Sequence, residues 1–132
     1  MRIKIITSYK IKNKFSQEAI KEYGKRLTKY CKLNLKVTNN VAKDIKSKSY
    51  VIKISRTGES IPSEQLAEKI SSLGVRGNSD IIIIIDDGYN GGKVDFSLSL
   101  SNMDMDSDLM LIILYEQIYR AYRIINNEPY HK

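Results

Sequence analysis

Asp80-Ile81-Ile82-Ile83-Ile84-Ile85-Asp86-Asp87-Gly88 is the stretch that settles the class of fold. Five consecutive isoleucines leave a strand without a polar face, so both of its sides must be covered, as in the centre of a parallel sheet. On the N-terminal side of this run, Pro62-Ser63-Glu64 opens a helix carrying Leu66, Ala67, Ile70 and Leu73, with Gly74 as its terminator. Before it, Tyr50, Ile52 and Ile54 alternate as a strand that ends ahead of Arg56-Thr57-Gly58, and Leu33, Leu35 and Val37 alternate with Asn34, Lys36 and Thr38 as another. Asn39 to Lys48 is polar and predicts no element. Phe15, Ala19, Ile20, Tyr23, Leu27 and Tyr30 recur at helical steps, with Ser16 as N-cap, and Arg2–Thr7 is a β-branched strand. On the C-terminal side, Leu98 and Leu100 alternate with Ser97, Ser99 and Ser101. Leu109–Ile125 is one long helix, opened by Asp106, Ser107 or Asp108 and closed by Asn126 and Asn127. Strands separated by helices predict an α/β fold: a mainly parallel five-stranded sheet with helices on both faces.

The length of 132 residues suits one domain over 1–132, since two would each be too small to bury a core. Hydrophobic residues make up 42% of the chain, which excludes a disordered polymer. Wholly apolar runs such as Ile81–Ile85 are far too short to span a bilayer. The first residues lack the pattern of a signal peptide, the single Cys31 excludes an internal disulfide, and no Cys/His cluster suits zinc. A cytoplasmic, metal-free protein without a membrane partner is expected. Charge is uneven: residues 1–66 hold 16 Lys/Arg against 5 Asp/Glu, while residues 67–132 hold 6 against 10. A basic half suggests a nucleic-acid partner. A lysine-rich solvated surface, in a chain biased toward Ile, Lys and Asn, accounts for the same charge.

Ligands of open α/β sheets bind beyond the carboxyl ends of the strands, where Asp86-Asp87-Gly88-Tyr89-Asn90-Gly91-Gly92 falls. Its glycines allow close backbone approach, and it lacks the spacing and lysine of a phosphate-binding loop. An adenosine-type ligand is compatible, and so is a plain strand-to-turn connection. The only histidine, His131, is flanked by Tyr130 and Lys132, and no nucleophile–base system is discernible. Tyr115, Tyr119 and Tyr122 read as core, and Glu116 with Arg120 as an i,i+4 surface pair. These residues by themselves select no reaction.

The segment Tyr115-Glu116-Gln117-Ile118-Tyr119-Arg120-Ala121-Tyr122-Arg123, followed by Glu128-Pro129-Tyr130-His131-Lys132, resembles the RlmH family of small SPOUT-class methyltransferases. The matching phrase is a Glu-Gln-x-Tyr-Arg-Ala helix closing on a Tyr-His-basic end, and the order of elements agrees over nearly the whole chain. Two stretches look shortened, Asn39–Lys48 and Gly92–Ser97. The resemblance implies a deep C-terminal trefoil knot, a homodimer, and S-adenosylmethionine as cofactor. It implies methylation of a base nitrogen of a pseudouridine in large-subunit ribosomal RNA, so that the ribosome is the partner and DNA is not. Carried over by position, Ile54, Gly88 and the loop Ser101, Asn102, Met103, Asp104, Met105 and Asp106 would bind the cofactor. Arg120, Glu116, Tyr130, His131 and Lys132 would form the catalytic group, with help from the partner subunit.

The chain departs from the family pattern in three places. Asp87-Gly88 stands where relatives have Gly-Gly, Asp106-Ser107 where they have Pro-His, and Leu111 where they have an Arg one turn into the last helix. Asp86, Asp87, Asp104, Asp106 and Asp108 thereby collect around the cofactor region. Two readings follow: a working rRNA methyltransferase with a diverged cofactor loop, or a SPOUT-fold protein with an altered site that binds RNA, the ribosome or a protein without catalysis.

Overall fold

The structure, a computed structural model, describes residues 1–130. Chain order runs β1 (Arg2–Thr7), α1 (Lys14–Leu27), β2 (Lys32–Val37), a 3-10 turn (Val41–Asp44), β3 (Tyr50–Glu59), α2 (Ser63–Val75), β4 (Asp80–Ile85), β5 (Phe96–Leu98) and α3 (Ser107–Ile125). The five strands form one sheet in the order β2-β1-β4-β3-β5. Every pairing is parallel. β4 is central, with Ile83 in register with Ile5 on one side and Ile52 on the other.

Successive strand residues point to opposite faces, which divides the isoleucine run between two cores. Ile81, Ile83 and Ile85 join Ile3, Ile5, Ile52 and Ile54 in the larger core, with the buried residues of all three α-helices. Ile82 and Ile84 face the other way, packing with Ile6, Val41, Val51 and Tyr89. Helical structure thus lies on both faces, but very unevenly. All three α-helices share one face, and the other is covered by the single 3-10 turn and the turn after β4. The chain between β2 and β3 is too short for more, although Val41 gives the polar stretch Asn39–Lys48 an anchor that its composition hides.

Several boundaries also differ from the sequence-based expectation. Asn13, not Ser16, caps α1, its Oδ1 accepting from the Phe15 and Ser16 amides at 2.8 and 3.2 Å. Phe15 is off the apolar stripe, 78% exposed, because five residues from Ile20 is about 140° around a helix. α2 runs past Gly74 to Val75 and closes at Gly77, whose φ of 86° allows the Asn78 amide to reach the Leu73 carbonyl at 2.9 Å. β3 continues through Arg56-Thr57-Gly58, with a register shift between Ile54 and Glu59. Gly58 permits this, since a Cβ there would meet the Ser97 carbonyl carbon at 2.7 Å. β5 is correspondingly short and starts at Phe96. The long C-terminal helix is capped as expected by Asp106, and it closes at Asn126 with Asn127 at φ 53°.

Candidate active site

Parallel strands bring all their carboxyl ends to one edge, and there a cleft opens, about 550 Å³ in volume. Ser8 and Tyr9 follow β1, Ile54 to Thr57 lie at the bend of β3, and Ile85 to Asp87 end β4. Leu100, Ser101, Met103, Asp104 and Met105 enter from the loop after β5, and Ser107 and Met110 from the first turns of α3. Apolar Ile54, Ile85, Leu100, Met105 and Met110 thus stand beside hydroxyls and carboxylates.

The sequence-derived cofactor residues divide here. Ile54, Ser101, Met103, Asp104 and Met105 line the cleft; Gly88, Asn102 and Asp106 do not. Gly88 acts one step away, its amide donating at 3.0 Å to Oδ1 of Asp86, which also accepts from Ser8 Oγ at 3.1 Å. Asp106 caps α3, accepting from the Asp108 amide at 3.2 Å, and Asn102 is exposed on the loop. Across the mouth, Arg56 is ion-paired with Asp104. Ser8, Tyr9, Arg56, Thr57, Leu100 and Met110 were not singled out from the sequence. Tyr9 donates its hydroxyl to the Ser107 carbonyl at 2.8 Å, and burial, with Asp108 and Asp106 nearby, pushes its pKa up to about 12. It is a neutral phenol at any ordinary pH.

A second group gathers on α3. Arg120 Nε donates to both carboxylate oxygens of Glu116, at 3.0 and 3.3 Å, and the guanidinium lies 4.9 Å from the centre of the Tyr130 ring. The surface pair read from the i,i+4 spacing is in fact half-buried. The Glu116 hydrogen bond holds Arg120 firmly protonated, while desolvation first, then a hydrogen bond with Tyr23, pushes the Tyr130 phenol up to about 12. Tyr130 also meets Tyr119 edge-on, with ring centres 5.0 Å apart. Tyr115, Tyr119 and Tyr122 are core, as expected. His131 and Lys132 lie outside the described residues.

Arg120, Glu116 and Tyr130 are therefore together, but not with the cleft. Met110 lines the cleft and Arg120 is ten residues further on, about 15 Å along the helix axis. Among the described residues, no group of three His, Cys, Asp or Glu side chains could hold a metal, and no helix is long and apolar enough to cross a membrane.

A family model described as "Predicted SPOUT methyltransferase" matches residues 1–131. The chain belongs to the SPOUT methyltransferase family. Similar proteins are named ribosomal RNA large subunit methyltransferase H. One from Clostridioides difficile (strain 630) is 42% identical over 160 residues, covering 100% of both chains. One from Bifidobacterium adolescentis is 39% identical over 161 residues, again with 100% of each covered. A third, from Thermoanaerobacter sp. (strain X514) and named methyltransferase H 1, is 45% identical over 122 residues, 90% of each chain. The Clostridioides difficile match runs over 160 residues against the 132 of this SPOUT chain, which agrees with shortened connections. Its all-parallel sheet and helices fit the family's α/β class.

Proposed function

We propose that this SPOUT protein transfers a methyl group from S-adenosylmethionine to a base nitrogen of a pseudouridine in large-subunit ribosomal RNA. The observation that carries the reading is the cleft at the carboxyl edge, whose chemistry fits that cofactor. Its volume of about 550 Å³ suits a nucleoside-sized ligand. Ile54, Ile85, Leu100 and the methionines offer an apolar bed for an adenine ring. Asp86 and Asp87 suit a ligand with sulfonium and ammonium charges, and Arg56, paired with Asp104, would have to exchange that partner to meet its carboxylate.

The cofactor would supply an electrophilic methyl group; the protein's part is orientation and charge. The imide nitrogen of the base must shed its proton before it can attack. A guanidinium beside the ring stabilises the resulting anion, and Arg120 is the residue for that role. Glu116 fixes its orientation, and Tyr130 with His131 and Lys132 would shape the substrate side.

Because Arg120 lies about 15 Å beyond the cleft along α3, the site is best completed across a homodimer, one subunit giving the cleft and the other the Arg120 group. Leu109, Ile113, Glu116 and Arg120 recur at helical spacing on the α3 face turned away from the sheet, and Leu109 is 47% exposed. That stripe suits an isologous contact. A C-terminal trefoil knot, a single domain and cytoplasmic residence complete the proposal.

The test is methyl transfer from labelled S-adenosylmethionine to large ribosomal subunits, with calorimetric titration of the cofactor alongside. Micromolar binding with label in the RNA supports the reading. No binding of the cofactor overturns it, and would leave a SPOUT fold that binds RNA or protein without the chemistry.

A further inference from the structure

The segment between β1 and α1 leaves the cleft and becomes strongly basic. Lys10, Lys12 and Lys14 are all exposed, and Phe15, 78% exposed, follows directly. Among the described residues these three lysines have no ion-pair partner, whereas Arg2, Lys36, Arg56 and Arg123 are paired with carboxylates. The segment is also held in place. Tyr9 is tied to the Ser107 carbonyl, the Asn13 amide donates to Asp108 Oδ2 at 3.2 Å, and Gln17 Nε2 donates to the Ile11 carbonyl at 3.0 Å. The platform is thus fixed to the start of α3, at the same edge as the cleft.

We propose that Lys10, Lys12, Lys14 and Phe15 form the RNA-docking surface of the site, with Phe15 stacking on an unpaired base and the lysines contacting phosphates of the same strand. This rests on the ribosomal-RNA reading above and says where on the protein the RNA lies. An exposed aromatic ring among unpaired cations is the chemistry that single-stranded RNA recognises, since every base has a face to stack and every linkage a charge to neutralise. Charge complementarity separates this occupant from a second copy, because an isologous contact would set two clusters of lysines against each other. The placement also offsets a problem of the cleft itself. Asp86, Asp87 and Asp104 repel a phosphate backbone, so the strand needs a cationic anchor beside them that admits only the target base.

The experiment measures binding of the full-length chain to purified large ribosomal subunits as a function of salt, for wild type, Phe15→Ala, Phe15→Trp and the triple Lys10→Ala/Lys12→Ala/Lys14→Ala variant. Cofactor affinity and melting temperature serve as controls. The expected result is about tenfold weaker binding for Phe15→Ala, the loss of one stacked base, with Phe15→Trp near wild type. The triple variant lowers the slope of log affinity against log salt by about 2, at about 0.7 per phosphate contact. Wild-type binding that the variants leave unchanged, with cofactor affinity intact, overturns the inference alone. Loss of self-association in Phe15→Ala, or loss of adsorption to phosphatidylglycerol vesicles, with RNA binding retained, would assign the surface to a second copy or a membrane and equally overturn it. No binding or methylation of subunits by the wild-type chain overturns the proposed function together with it.

Discussion

Arg120 is clamped by Glu116, one helical turn earlier, through Nε contacts of 3.0 and 3.3 Å to the two carboxylate oxygens. The pair directs the cation to the same half-buried face that carries Tyr130. Removing the guanidinium leaves the hydrophobic face of α3 intact. Arg120→Ala is therefore expected to lower methyl transfer by about 100-fold or more, the loss typical of removing one charge-stabilising donor. Cofactor affinity should not change, because Arg120 lies away from the cleft. Full activity of this variant in the ribosome-labelling assay sinks the assignment of Arg120.

On the proposed function, residues 130–132 serve the substrate side and not the cofactor. Tyr130 packs on Tyr119 and Arg120, far along α3 from the cleft. Deleting residues 130–132 should leave the dissociation constant for S-adenosylmethionine within about twofold and abolish methyl transfer, since 1.4 kcal/mol would already be tenfold. A large loss of cofactor affinity on truncation contradicts this division of labour.

What could be read from the sequence follows from how local each signal is. The isoleucines of β4 have no polar alternate, so their double burial needs no tertiary knowledge. Tyr115, Tyr119 and Tyr122 announce their core role through helical spacing alone. Ser8 and Tyr9 give no such sign, because they reach the cleft only through the strand order that seats β1 beside β4. Arg56 was hidden in the same way, its partner Asp104 being 48 residues away. The alternation of Tyr50, Ile52 and Ile54 stops ahead of Arg56-Thr57-Gly58, so nothing in the pattern signals that β3 runs on through Gly58. Its real function, backbone contact with β5, depends on a neighbour distant in sequence. Gly88, Asn102 and Asp106 were placed in the pocket by family position. The turn and the cap absorb two of them instead.

Gly58 also yields a test of how β5 supports the cleft. A Cβ at this position would lie 2.7 Å from the Ser97 carbonyl carbon and 2.9 Å from that of Leu98, both backbone atoms that cannot rotate away. Gly58→Ala should cost about 1–3 kcal/mol, as other overpacked sites do, and lower the melting temperature by several degrees. The displaced strand leads into Ser101–Asp106, so cofactor affinity should fall as well. A variant as stable as wild type would mean that β3 and β5 slide apart without cost.

Asp87 lines the cleft, and it bears on the choice between cofactor and product. S-adenosylmethionine carries one more positive charge than S-adenosylhomocysteine, so a carboxylate favours the former. At about 4 Å in water-like surroundings one such contact is worth about 1 kcal/mol. Calorimetric titration of Asp87→Asn with both ligands should show a ratio of affinities shifted severalfold toward the homocysteine form. An unchanged ratio would place Asp87 away from the sulfonium.

Glu128 ties the start of the C-terminal segment to the body of the fold. Its carboxylate accepts from Tyr30 Oη and, at 3.0 Å, from Arg123. The Tyr30 hydrogen bond, followed by the Arg123 and Lys29 charges, holds its pKa below the usual carboxylate value. A lowered folded-state pKa stabilises the protein above the unfolded value, and that stability is lost as pH falls through the folded one. The segment should therefore loosen in acid, below the ordinary range of a glutamate, and remain anchored at neutral pH. Melting temperature followed from pH 7 downward should drop less steeply in Glu128→Gln than in wild type, from a lower starting point. Parallel curves for the two proteins would show that this carboxylate contributes nothing to the linkage.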